Sequence, residues 1–170
     1  MRVCAIAWLL IFLSSCPTSP EPEVYAVSFA TDGGSAVAVQ EVQKEGKATR
    51  PAGDTTKAGY TFENWYADDA CATVWDFDTP ITQDTILYAK WTVATYTVSY
   101  AANGANSGSV PSDQTKTHGE DLTLASNTGN LARTGYTFAG WDTQADGSGT
   151  AYAEGSSCTA NAGVTLYAKW

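Results

Sequence analysis

Short runs in which apolar and polar residues alternate dominate the chain. In "VYAVSFA", Val24–Ala30, a period of two places Tyr25, Val27 and Phe29 on one face. "TYTVSYA", Thr95–Ala101, does the same with Tyr96, Val98 and Tyr100. "TILYAKW" at Thr85–Trp91 and "VTLYAKW" at Val164–Trp170 alternate with Leu and Trp on a shared side. Each run predicts a strand with one face buried. "DGG" at Asp32–Gly34 and "NGANSG" at Asn103–Gly108 follow the first strands as turns. No segment holds a 3.6-residue period with caps at both ends, and "EVQKEGKA" or "NTGNLAR" offers at most a helical turn. The pattern predicts a mostly β protein.

The same elements are written twice. Val27 and Val98 are 71 positions apart, "GYTF" recurs from Gly59 at Gly135, and "LYAKW" recurs from Leu87 at Leu166. The spacing widens along the chain because the second copy carries longer loops, "NGANSGSVPSDQTKTHGED" against "DGGSAVAVQEVQKEGK". The expected organisation is two modules, 24–91 and 95–170, joined by the short connector "TVAT".

Duplication changes how the aromatics are read. Tyr25 matches Tyr96, Phe29 Tyr100, Tyr60 Tyr136, Phe62 Phe138, Trp65 Trp141, Trp75 Tyr152, Tyr88 Tyr167 and Trp91 Trp170. Beyond the first sixteen residues, only Tyr66 and Phe77 lack an aromatic counterpart. One ligand site has no need to appear twice with its full set of rings, but a small core does. Domains of this size bury only about 60% of the surface of the unfolded chain, and each large ring buries about 150–250 Å². The rings are therefore expected to be chiefly core.

The first residues are of different material. "MRVCAIAWLLIFLSSC" has one Arg, an apolar run from Val3 to Leu13, then small polar residues. The run is shorter than the roughly 20 residues of a membrane-spanning helix and reads as a secretory signal. "LSSC", Leu13–Cys16, resembles a bacterial lipobox, which implies cleavage after residue 15 and acylation of Cys16. The alternative is an ordinary signal-peptidase site. Residues 16–23, with "PTSPEPE", form a proline-rich stalk of extended chain. On this reading 1–15 is a lipoprotein signal peptide and Cys16 is the lipid attachment site. The protein would then sit in the bacterial cell envelope, outside the cytoplasm.

"GYTFxxW…LYAKW", preceded by an aromatic strand that ends near "DGG", resembles the Listeria–Bacteroides repeat, the internalin-type B-repeat. The first copy resembles it over nearly its whole length and the second at both ends. The resemblance implies small, strongly curved, β-grasp-like sheets with little or no helix. It also implies placement outside the cell, as spacer or adhesive units of bacterial surface proteins.

Composition removes some functions. A net charge of −9 with no basic run argues against nucleic acid as a partner. The single histidine, His118, lies in "TKTHGED" and reads as a solvated loop residue. The acids of "DD" (Asp68, Asp69), "DFD" (Asp76, Asp78) and "DTQADGSG" from Asp142 could be arranged around calcium. They are also what tight turns require, and "DTQADG" lacks the alternate Asp of a calcium loop. Cys71 and Cys158 occupy non-equivalent positions in the two copies, so both a disulfide and two free thiols stay open. No catalytic, cofactor or metal residue is assigned. The expected function is non-enzymatic: a lipid-anchored surface protein whose modules act as spacer or as protein-binding platform. The second expectation is a carbohydrate-binding module or accessory of a surface hydrolase, with Tyr66 and Phe77 as its test residues.

Overall fold

The computed structural model describes residues 21–53 and 55–170. The expected signal peptide 1–15, Cys16 and residues 16–20 of the stalk lie outside the described residues.

The first half builds β1 (Val24–Ala30), β2 (Gln40–Gln43), β3 (Tyr60–Tyr66) and β4 (Thr85–Val93). They form one mixed sheet in the order β2-β1-β4-β3. The central pair β1 and β4 is parallel, with Phe29 opposite Leu87, and both flanking pairs are antiparallel. The second half has β5 (Thr95–Ala101), β6 (Gln114–Thr117), β7 (Leu122–Thr123), β8 (Trp141–Asp142), β9 (Ala151–Tyr152), β10 (Ser157–Cys158) and β11 (Val164–Ala168). Its main sheet, β6-β5-β11-β8-β9, repeats the first order and adds β9 at the edge. β5 and β11 are again parallel, with Tyr100 opposite Leu166. β7 and β10 form a separate antiparallel pair. Among the described residues there is no helix, and the fold is mostly β.

Period two is obeyed where it was legible. In β1, Tyr25, Val27 and Phe29 face the first core, and in β4 Leu87, Ala89 and Trp91 do so. Val98, Tyr100, Leu166, Ala168 and Trp170 make the second core in the same way. The rings form two matching chains. Phe29 meets Trp65 at 4.9 Å, Trp65 meets Phe62 at 5.3 Å, and Phe62 meets Trp91 at 5.5 Å. Tyr100, Trp141, Phe138 and Trp170 repeat this at 4.7, 5.1 and 5.8 Å. Edge and tilted contacts of this kind add roughly 0.5–1.5 kcal/mol per pair beyond area burial. Trp65 and Trp141 are wholly buried. Most of the paired rings are thus core.

The sequence expectation fails in three places. β2 and β6 lie inside the two segments read as loops, because their polar letters "QEVQ" and "QTKT" conceal the buried residues Val42 and Lys116. Tyr60 and Tyr136, counted with the core rings, are surface residues. β8 is shorter than its counterpart β3, and Gly140, at φ 106, stands immediately before it with its carbonyl accepting from Lys169 N at 2.9 Å. A Cβ there would collide with the Tyr152 carbonyl.

Lys116 is the least expected buried group, at 1% exposure. Its Nζ donates to Glu120 O at 2.7 Å, Asn161 Oδ1 at 3.0 Å and Thr117 O at 3.2 Å. Three acceptors match the three hydrogens of the ammonium. The lysine thereby ties the turn after β6 to the segment before β11, where Val42 in the first half fills the same register position with an apolar side chain.

Candidate functional site

The residues with chemical potential divide between a joint and two hollows. The joint lies where the halves meet. β4 and β5 are separated by Ala94 alone, whose N–H donates to Gly59 O at 2.8 Å and whose carbonyl accepts from His118 N at 2.9 Å. The His118 ring lies against Gly59, where a Cβ would overlap the imidazole. Its Nδ1 is 3.0 Å from Tyr96 Oη, and Tyr60 meets it edge-on at 6.1 Å. His118 is therefore half-buried between the repeats and is not the solvated loop residue that "TKTHGED" suggested. A ring that fills a left-handed glycine's empty side holds the joint together.

The acid runs brace turns. Asp68 accepts the amides of Ala72 and Thr73 at 3.0 and 2.9 Å, which hold its carboxyl below the usual range. Asp76 accepts the Asp78 amide, and Asp78 pairs with Lys47 at 2.8 Å. Asp142, 1% exposed, accepts the amides of Gln144 and Gly149 on Oδ1 and pairs with Lys169 at 3.0 Å on Oδ2. The Gln144 amide first, then Lys169 and last the Gly149 amide, lower its pKa. Among the described residues no group of three or more His, Cys, Asp or Glu is placed to hold a metal ion.

Asp142 also explains why Tyr66 lacks an aromatic match. It stands at the Tyr66 position, and the lysine of "LYAKW" adapts to each. Lys90 lies over the Tyr66 ring at 5.1 Å and pairs with Glu63 at 3.2 Å, whereas Lys169 pairs with Asp142. Tyr66 is buried and Phe77 packs on the first core, so neither offers the open platform expected of a carbohydrate contact. Cys71 and Cys158 are free thiols, the second buried in the core beside Tyr152.

The two hollows occupy matching places. In the first half, Asp32, Asp69, Cys71 and Tyr88 line a space of about 330 Å³. In the second, a cleft of about 240 Å³ is lined by Asn103, Arg133, Tyr136, Gln144, Asp146 and Trp170, among others. Lys57 and Arg133 are matched: Lys57 Nζ sits 4.5 Å from the Tyr60 centroid, and Arg133 Cζ 4.3 Å from that of Tyr136. Lys57 is tied to Asp32, donating to its carbonyl at 2.7 Å and meeting its carboxylate at 3.3 Å. At the Asp32 position the second half has Asn103, whose amide donates to Ala145 O and Ala168 O, both at 2.8 Å.

Compared with known proteins, the chain matches the Listeria-Bacteroides repeat domain over residues 25–90 and again over 96–169. It belongs to that repeat family. Similar proteins include one named as a membrane protein of Evansella cellulosilytica, 37% identical over 86% of this chain and 22% of its own length. A second from that organism, named as a Gly-rich membrane protein, is 35% identical over 88% of the chain and 16% of itself. Internalin H of Listeria monocytogenes is 32% identical over 92% of the chain and 27% of itself. The chain thus spans between 16% and 27% of the length of these relatives. "GYTFxxW" and "LYAKW" mark the family because they supply β3, β4 and their ring chain, or the second-half equivalents. The joint and the second-repeat cleft were missed by sequence reasoning. The one available signal was the register of the repeat, which sets Asn103 against Asp32 and Arg133 against Lys57.

Proposed function

We propose that this protein is a non-enzymatic, lipid-anchored surface protein of the bacterial envelope, in which the two repeats act as spacer and binding platform. The family and the names of its relatives, two membrane proteins and an internalin, support a surface location. The observation that carries the spacer role is the joint. A spacer transmits distance only if its units are held to one another, and here Gly59, Ala94 and His118 lock backbone to backbone across a single connecting residue. The matching ring chains serve the interior of each repeat and leave turns and sheet edges to face outward. Edges of this kind accept an added strand from a partner.

Anchoring rests on Cys16 with the stalk behind it, since a single acyl chain holds only marginally while two or more hold stably. Mass spectrometry of the membrane-fraction protein tests this. The expected result is a mature chain that begins at Cys16 and carries acyl groups. An unmodified chain that retains residues 1–15 in the soluble fraction would refute the anchor. The spacer role is tested separately, by small-angle scattering of the 21–170 fragment with and without His118→Ala. A broader distribution of sizes in the variant is expected, and identical profiles would remove the joint from the argument.

A further inference from the structure

We infer that the cleft on the second repeat is a binding site for an acidic sugar, a saccharide ring that bears a carboxylate. This deepens the platform reading above, though the spacer role needs no ligand and survives its failure.

The duplication serves as an internal control. The same place in the first repeat is an acid-lined hollow, with Asp32 and Asp69 in its wall. Three aligned differences remove the acids that face the cation, although Asp142 and Asp146, at the Tyr66 and Ala70 positions, bring two acids to the second wall, the first of them paired with Lys169. Asp32 is replaced by Asn103, Asp69 by Ala145, and Lys57 by Arg133. The acid that ties down the first repeat's cation is thereby gone, and no carboxylate of the described residues lies within salt-bridge reach of Arg133. In a chain of net charge −9, an arginine without an acid partner in a concave wall stands out. Its planar fork suits bidentate capture of a carboxylate.

Two features indicate a ring. Tyr136 is 58% exposed and has the Arg133 guanidinium over it, while its counterpart Tyr60, at 38%, is flanked by His118. In the first repeat, then, the Gly-Tyr surface is already covered by a flat polar ring, the His118 imidazole. In the second, nothing lies within 4 Å of a Cβ built on Gly135. The rest of the wall includes Asn103, Gln144, Asp146, the Asp142–Lys169 pair and the Trp170 ring, and mixes amide and charged groups with one more aromatic, which suits hydroxyls on a stacked sugar. A volume of about 240 Å³ is below the roughly 300–1,000 Å³ of drug-sized pockets and suits one monosaccharide unit.

The test is a nuclear magnetic resonance titration of the 21–170 chain with methyl β-glucuronide, methyl β-glucoside and an N-acetylated dipeptide with a free carboxylate. The expected result is saturable shifts at Arg133, Tyr136 and Gly147 with the glucuronide and none at Asp32 or Tyr88. Binding of the glucoside should be at least about tenfold weaker, the loss of one charge-assisted contact. Arg133→Gln, at a half-buried position, and Tyr136→Ala, at an exposed one, each checked by its unchanged core resonances, should each weaken glucuronide binding by a similar factor. No saturable shift with the glucuronide would overturn the site. Equal affinity for the glucoside would overturn the acidic class. Tighter binding of the dipeptide would overturn the sugar assignment in favour of a peptide carboxylate.

Discussion

The imidazole of His118 occupies the space that a side chain on Gly59 would need. Gly59 sits at φ 77 and its counterpart Gly135 at φ 80, so both backbones adopt a conformation that favours glycine. Only at Gly59 is the vacated side filled, and it is filled by the neighbouring repeat.

Alanine at the two glycines should therefore separate strain from jointing. Gly59→Ala and Gly135→Ala should each destabilise their own repeat by about 1–2 kcal/mol, the cost of a left-handed L-residue. Only Gly59→Ala should also displace His118 and abolish the Tyr60–His118 proton cross-peaks. Cross-peaks that persist in Gly59→Ala would show that the ring is held by Tyr96 alone.

Cys71 stands at φ 50, where the second repeat has Gly147 at φ 78. Cys71→Gly should raise stability by roughly 0.5–1 kcal/mol, and Gly147→Cys should lower it by a similar amount. Urea midpoints of the two variants decide the matter. A loss of stability in Cys71→Gly would mean that the thiol's packing outweighs the backbone relief.

Asp142 gives the second repeat an acid-sensitive element. Its carboxyl is held below the usual range by the Gln144 and Gly149 amides and by Lys169. A depressed folded pKa contributes stability that is complete above the unfolded value, about 4, and is lost as pH falls through the lower folded value. Thermal melts from pH 7 to pH 2 should show the melting temperature dropping below about pH 4, and Asp142→Asn should flatten that drop while lowering the plateau. Parallel curves for the two proteins would assign the acid sensitivity to other carboxylates.

What was legible in the sequence was whatever rested on period and repetition. Val27, Phe29, Leu87 and Trp91 announced their strands because alternate residues share a sheet face, and the second copy repeated the message with Val98, Tyr100, Leu166 and Trp170. Polar residues gave the misleading signals. "QTKT" looked like loop because burial of Lys116 depends on Glu120 and Asn161, partners that no local pattern reveals. "TKTHGED" looked solvated because the contact with Gly59 is made across the repeats. The Tyr60 and Tyr136 pair shows that recurrence marks a position in the fold without deciding its exposure. Tyr66, by contrast, was an unmatched ring only because Asp142 serves the same lysine by charge instead of by its π-face.

The parallel pairing of β1 with β4, and of β5 with β11, governs how each repeat would respond to being pulled. The chain enters a repeat at the start of one strand of the pair and leaves from the far end of the other. Tension between those two points runs along the strands and loads their cross-strand bonds together, in shear. Rupture would then require them to fail at once, whereas a hairpin pulled from its open end unzips one rung at a time. Stretching therefore meets its stiffest resistance at the centre of each sheet, where Leu87 and Leu166 are fully enclosed.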